Sequence, residues 1–255
     1  MDKLTYLIEY LLKERRDGAD IKIPKSGEER FRLFRSLVNL RAPRPVSEKF
    51  LTVQDEFLKE KTAEKGITDY KKLTPVKPHI YLWQGDITTL KCGAIVNAAN
   101  SAMLGCFYPC HGCIDNAIHT YAGVQLRLKC EEIMEEQGHE EPIGKAKITP
   151  AYNLPCENVI HTVGPYVDGR LTQRHSEQLS SCYSECLKTA AENKVSSIAF
   201  CCISTGEFHF PKQEAAGIAV KTVTDFLKYD SEIEVIFNVF GKDDLKIYQR
   251  LLGAN

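Results

Sequence analysis

Two six-residue runs, Ile198-Ala199-Phe200-Cys201-Cys202-Ile203 and Val235-Ile236-Phe237-Asn238-Val239-Phe240, are apolar on both faces of an extended chain. A strand of that kind needs cover on both sides, as the central strands of parallel sheets have. Other β-rich runs fall at 80–84, 94–97, 146–152 and 159–163, and the two apolar runs extend these to 197–204 and 235–240. Helical spacing separates many of them, at 113–137, 175–193, 213–227 and 243–252. Strands alternating with helices predict a layered α/β domain around a mixed, mostly parallel sheet. No internal repeat and no low-complexity tract interrupts the pattern.

The texture differs upstream. Leu4, Leu7, Ile8, Leu11 and Leu12 recur at helical spacing, as do Phe31, Phe34, Leu37 and Val38 within 28–40, and Phe50, Val53, Phe57 and Leu58 within 46–63. Thr74-Pro75-Val76-Lys77-Pro78 discourages helix and strand alike and marks a boundary. The chain therefore divides into a helical extension at 1–72 and an α/β domain at 73–255. The apolar stripes of the extension favour packing against the domain over docking of a partner, since they would otherwise be exposed.

A formal net charge of −1 over 255 residues provides no bulk attraction to nucleic acid or to an anionic membrane, although a local basic pocket is still compatible with it. No apolar run reaches spanning length, and the first residues lack a signal-peptide pattern. Ten cysteines in such a chain suit a reducing cytoplasm, where metal binding, catalysis or burial is expected before disulfides. The expectation is a soluble cytoplasmic protein without nucleic-acid or membrane partners.

Three thiols and an imidazole crowd Cys106-Phe107-Tyr108-Pro109-Cys110-His111-Gly112-Cys113. Soft ligands at this density favour zinc, and three ligands in one loop leave a fourth tetrahedral position open, as in catalytic sites. Cys106, His111 and Cys113 form the best set. Cys110 competes, because Cys110-His111-Gly112-Cys113 also reads as a C-x-x-C redox pair, and buried free thiols are the plain alternative. Ile114 stands where a c-type haem motif needs histidine. His119 reads as a packed or surface histidine, with a supporting role near the metal as the alternative. Ile114, Ile118, Ala122 and Leu126 make a core-facing stripe.

Asp86 follows the first strand through Gly85. Its carboxylate suits an adenine amino group, or else caps the turn at Ile87-Thr88. Asn97 and Asn100 close the next strand, where one amide can pin the loop and the other reach a ribose. Ser204-Thr205-Gly206-Glu207-Phe208-His209-Phe210-Pro211 joins the most apolar strand to a helix beginning near Lys212, and such a junction directs backbone N–H groups at an anion. It lacks the Gly-Lys-Ser/Thr ending of a Walker A motif, so a cradled diphosphate without phosphoryl transfer is expected, against an ordinary turn.

In this order, Gly85-Asp86-Ile87-Thr88, Ala94-Ile95-Val96-Asn97-Ala98-Ala99-Asn100, His161-Thr162-Val163-Gly164-Pro165 and Ser204-Thr205-Gly206 resemble a macrodomain from about Pro75 onward. The loop from Leu104 to Asp115 further resembles the zinc-dependent macrodomains, bacterial and fungal protein-ADP-ribose hydrolases often encoded beside a sirtuin-like ADP-ribosyltransferase and carrying a helical N-terminal extension. The resemblance implies an α/β/α sandwich around a mixed six-stranded sheet, with ADP-ribose at the strand C-termini. It implies that Asp86 and Ile87 recognise adenine and that Asn100 contacts the distal ribose. Ser204, Thr205, Gly206, Glu207 and Phe208 would wrap the diphosphate, while Cys106, His111 and Cys113 would hold Zn2+. Other macrodomains usually carry a second glycine and an aromatic where Glu207 to His209 stand, a departure that affects the phosphate contacts.

The implied activity is that of a zinc-dependent glycosidase that releases mono-ADP-ribose from modified, acidic side chains of a protein. Attack on the anomeric carbon and attack on an ester carbonyl both remain open, and no acid or base beside the metal loop identifies itself from sequence. Catalysis would run through Asn100 and the metal held by Cys106, His111 and Cys113; a metal that only pins the loop is the alternative. A non-catalytic ADP-ribose reader and an O-acetyl-ADP-ribose deacetylase are the rival functions.

Overall fold

The computed structural model describes residues 2–230 and 232–254. The chain begins with helices α1 (Lys3–Lys13), α2 (Gly27–Leu40) and α3 (Glu48–Lys65), followed by a two-residue strand β1 (Thr68–Asp69). Asp2, Ser26 and Ser47 cap the three helices, each side chain accepting from the backbone N–H three residues on. Leu7, Ile8 and Leu11 of α1 are buried with Phe34 of α2 and Phe50 and Leu58 of α3. Full burial of such a side chain stabilises by roughly 1.5–3 kcal/mol, so these stripes hold the helices together.

Then come β2 (Ile80–Gln84), the two-residue β3 (Leu90–Lys91) and β4 (Ala94–Ala99), the helices α4 (Ile114–Ala122) and α5 (Val124–Gln137), and β5 (Ala146–Pro150) with β6 (Asn158–Val163). The chain finishes with α6 (Gln173–Glu192), β7 (Ser197–Phe200), α7 (Lys212–Leu227), β8 (Glu234–Val239) and α8 (Lys242–Leu252). The main sheet has six strands in the order β2-β8-β7-β4-β6-β5, parallel except for the β5–β6 pair. All four residues of β7 and five of six in β8 are buried, as the doubly apolar runs require. Helices α6, α7 and α8 pack side by side, while α4 and α5 pack together with α2 against α4. The layered α/β architecture with a mixed central sheet and a preceding helical segment is thus the one expected.

The extension is continuous with this core. Val124 of α5 joins the cluster formed by α1–α3, and Phe31 touches both clusters. Strand β1 pairs with β3, Thr68 opposite Leu90, a contact too short to have left any periodicity in the sequence. No helix among the described residues is long and apolar enough to cross a membrane.

Several element boundaries differ from expectation. The helix read at 113–137 breaks at Gly123, whose φ is +97° and where a Cβ would stand 2.7 Å from Gln54 Nε2. The strand read at 197–204 stops at Phe200, because the chain turns through Ser204 at φ +64°. β5 ends at Pro150 rather than residue 152. β4 continues to Ala99, so Asn97 lies inside the strand instead of closing it.

Candidate active site

Four parallel strands, β2, β8, β7 and β4, end at one edge of the sheet, and their following loops stand in that order. Crevices outside strand C-termini are the usual ligand sites of open α/β sheets. Three interstrand spacings of about 4.8 Å give about 14 Å from the β2 loop to the β4 loop, enough for an elongated ligand.

Asp86 stands at the β2 end. Its Oδ1 accepts from Thr88 N at 3.0 Å and Thr88 Oγ1 at 2.7 Å, so it does cap the short turn Ile87–Thr89. Its Oδ2 accepts from Lys65 Nζ at 2.5 Å, at the end of α3. Burial pushes the carboxyl up, but Lys65 and Thr88 together outweigh it and hold it below its usual range. Ile87 buries its side chain, and its N–H has no partner among the described residues. Sequence reasoning missed Phe240, which follows β8 and is 80% exposed; its carbonyl accepts from Gln84 Nε2, which brings it next to the Asp86 turn. An exposed phenylalanine beside a carboxylate is a stacking surface, and the signal for it was its place at the end of a buried strand.

After β7, the loop from Ser204 to His209 folds back so that Phe210 N donates to Ser204 O at 2.9 Å. The N–H groups of Gly206, Glu207 and Phe208 have no partner among the described residues, and successive free amides in a turn suit an anion. Ser204 Oγ is buried without a partner among the described residues, and Thr205 Oγ1 is committed to Cys202 O at 3.0 Å. Phe208 packs edge-on against Tyr166, 5.9 Å between ring centres. Glu207 turns its carboxylate toward the Cys106–Cys113 loop, 3.6 Å from His111 Nε2, leaving only its backbone to an anion.

At the β4 end the two asparagines separate in role. Asn97 is fully buried; its Nδ2 donates to Asp115 Oδ1 at 2.8 Å and lies 3.1 Å from His161 Nδ1. Asn100 is half-buried; its Nδ2 donates to Gly105 O at 3.1 Å and to Asp115 Oδ2 at 3.5 Å, and its Oδ1 has no partner among the described residues. Asp115 is the acid that sequence reading did not find. An aspartate in a first helical turn is ordinary capping chemistry, and only the fold brings it between two amides. Burial pushes its carboxyl up to about 6 against the Asn97 bond, which lowers it. His161 bridges Asn97 and Thr149 Oγ1, and burial holds it neutral, down to about 3. His119 is buried as well and stands 3.6 Å from Asp115 Oδ1.

The ligand atoms of Cys106, His111 and Cys113 lie within 4.8 Å of one another. Cys106 Sγ stands 3.7 Å from His111 Nδ1, close to the ~3.6 Å edge of a tetrahedron with ordinary zinc–sulfur and zinc–nitrogen bonds. Burial, chiefly, and then Cys106 push the Cys113 thiol up to about 12, against a bond from Asn116 N; a divalent cation between the thiols reverses that cost. Two adjacent thiols and an imidazole of this geometry fit zinc. Cys110 faces away, its Sγ donating to Arg32 O at 3.3 Å on α2, which separates it from the triangle.

The chain can be set beside known proteins on these grounds. The Macro domain model matches residues 96–219, from β4 into α7. A protein-ADP-ribose hydrolase of Treponema medium is 54% identical, with 99% of this chain and 98% of that protein covered. An Oceanobacillus iheyensis macrodomain with ADP is 38% identical at a TM-score of 0.62, covering 68% of this chain and 88% of its own. A Trypanosoma brucei macrodomain in complex with ADP-ribose is 29% identical at a TM-score of 0.66, covering 86% and 95%. With a relative 54% identical over 98% of its length and a macrodomain structure 38% identical over 88% of its own chain, the chain belongs to the macro domain family.

Proposed function

We propose that the protein is a protein-ADP-ribose hydrolase that removes mono-ADP-ribose from acidic side chains with the help of zinc. One observation carries this function: Asn100 and Asp115, hydrogen-bonded to each other, flank the loop that carries the Cys106, His111 and Cys113 triangle, across the strand row from Asp86. Whole-length likeness to a protein of that named activity supports it.

ADP-ribose then runs along the strand ends. Asp86 accepts from the adenine amino group, the Ile87 N–H reads the ring edge, and Phe240 stacks on its face. Free amides at Gly206, Glu207 and Phe208 bind the diphosphate, with Ser204 and Thr205 shaping the turn and the Phe208 ring lining the ribose. Asn100 presents Oδ1 to a hydroxyl of the distal ribose, and Asp115 fixes that amide by accepting from its Nδ2. Cys106, His111 and Cys113 would hold the zinc, which would supply Lewis acidity to the hydrolysis. Water adds across the linkage, giving free ADP-ribose and a restored carboxyl side chain. The metal-loop resemblance also supports pairing with a sirtuin-like ADP-ribosyltransferase that installs the modification, and ten free thiols suit a reducing cytoplasm.

The test is incubation with a glutamate-linked mono-ADP-ribosylated protein in 18O water, followed by intact mass. Loss of one ADP-ribose per site supports the function, and the position of the label assigns attack to the sugar carbon or to the carbonyl. Tight ADP-ribose binding without mass loss would instead make the protein a reader.

A further inference from the structure

We infer that Arg35, on α2 of the N-terminal extension, is a positioning residue for the metal loop, so the extension completes the site. This rests on the metal reading proposed above. Arg35 Nη2 donates to His111 O at 2.7 Å, and its Nε and Nη2 donate to Asn116 Oδ1 at 3.0 and 2.7 Å. Asn116 is fully buried and passes the constraint on. Its Nδ2 donates to Tyr108 O at 2.9 Å, and its backbone N to Cys113 Sγ at 3.4 Å. One turn along α2, on the same face, Asn39 Oδ1 accepts from Cys110 N at 2.9 Å. The extension therefore holds the loop at Tyr108, Cys110, His111 and Cys113, two of which belong to the triangle.

No helix or strand lies between Ala99 and Ile114. A loop without ladders of its own loses conformational entropy when a metal orders it, unless something orders it beforehand. Arg35 suits that task because its planar fork serves a carbonyl and an amide oxygen at once, which a lysine cannot do. Removing groups that hold ligands from outside typically lowers metal affinity 10–100-fold.

The experiment uses the full chain stripped of metal, in wild-type, Arg35→Ala and Arg35→Lys forms. Zinc affinity is measured by competition with a chromophoric chelator, ligand geometry by the visible spectrum of bound cobalt, and fold by the melting temperature without metal. Calorimetric titration with ADP-ribose provides the control. Expected are an affinity for zinc about 10–100-fold weaker in Arg35→Ala with a shifted cobalt spectrum, partial recovery in Arg35→Lys, and ADP-ribose affinity unchanged within about two-fold. Zinc affinity equal to wild type in either soluble variant overturns the inference, as does a parallel fall in ADP-ribose affinity, which marks general loss of structure. Wild-type protein that takes up no zinc removes the metal reading itself, and the inference with it.

Discussion

Gly105 is where the site's geometry makes its sharpest demand on stability. It has a φ of +79°, and a Cβ added there would stand 2.7 Å from His119 Cγ, 2.8 Å from Cδ2 and 2.9 Å from Nδ1. Alanine in the left-handed region costs about 1–2 kcal/mol. Forcing a methyl into a packed buried ring costs about 1–3 kcal/mol more. Together Gly105→Ala is expected to lose about 2–5 kcal/mol, or about 4–20 °C of melting temperature in a chain of this size. Calorimetry on metal-stripped protein checks this without linkage to zinc. Gly112→Ala is the internal control, because a Cβ there meets nothing within 4 Å, and it should stay within about 0.5 kcal/mol of wild type. A loop that slides off His119 would lose less stability, but it would carry the Gly105 carbonyl away from Asn100 and weaken zinc binding. A Gly105→Ala protein with unchanged melting temperature and unchanged zinc affinity refutes the reasoning.

Phe240→Ala should weaken ADP-ribose by about 5–150-fold, the equivalent of about 1–3 kcal/mol of base stacking, with little effect on melting because the ring is 80% exposed. Calorimetric titration reads it. Asp115→Asn should lower the cleavage rate by about 100-fold, because Asn100 loses the carboxylate that orients its amide at the distal ribose, while most of the ADP-ribose affinity, set at the adenine and diphosphate, is kept; single-turnover kinetics beside a binding isotherm separate the two. Acid should destabilise the metal-stripped protein through His161. Burial lowers its pKa to about 3 in the fold, and the unfolded chain, near 6.5, binds the extra proton. Its contribution is therefore intact above pH 6.5 and falls by up to about 1.4 kcal/mol per unit below it. Urea titrations at pH 7.5 and 5.5 should show this slope flattened in His161→Gln, and an unaltered slope counts against it.

The parts of the fold that follow from burial were legible in the sequence. Residues apolar on both faces could only be the inner strands β7 and β8, and the helical stripes fixed α2, α3 and α6 to within a few residues. Events that depend on one residue's backbone angle escaped, as at Gly123 and Ser204, because periodicity says nothing about φ. In the site, ligands close in sequence were easy to see, and Cys106, His111 and Cys113 do converge. Groups that converge only through tertiary folding were not: Asp115 looks like a helix-start acid, Phe240 like the last residue of a strand, and Arg35 like one charge on an amphipathic helix. Glu207 was legible as part of the anion loop, but the direction of its carboxylate, toward His111, is set by the folded loop and left no mark in the sequence.

Removing and restoring the metal probes the core of this account. The full chain, stripped with a chelator and confirmed metal-free by elemental analysis, should stop releasing ADP-ribose from a modified protein while still binding free ADP-ribose. Release should return as zinc is added back, levelling near about one ion per chain, the capacity of a single three-ligand site. Metal-free protein that cleaves its adduct at the full rate would contradict the account.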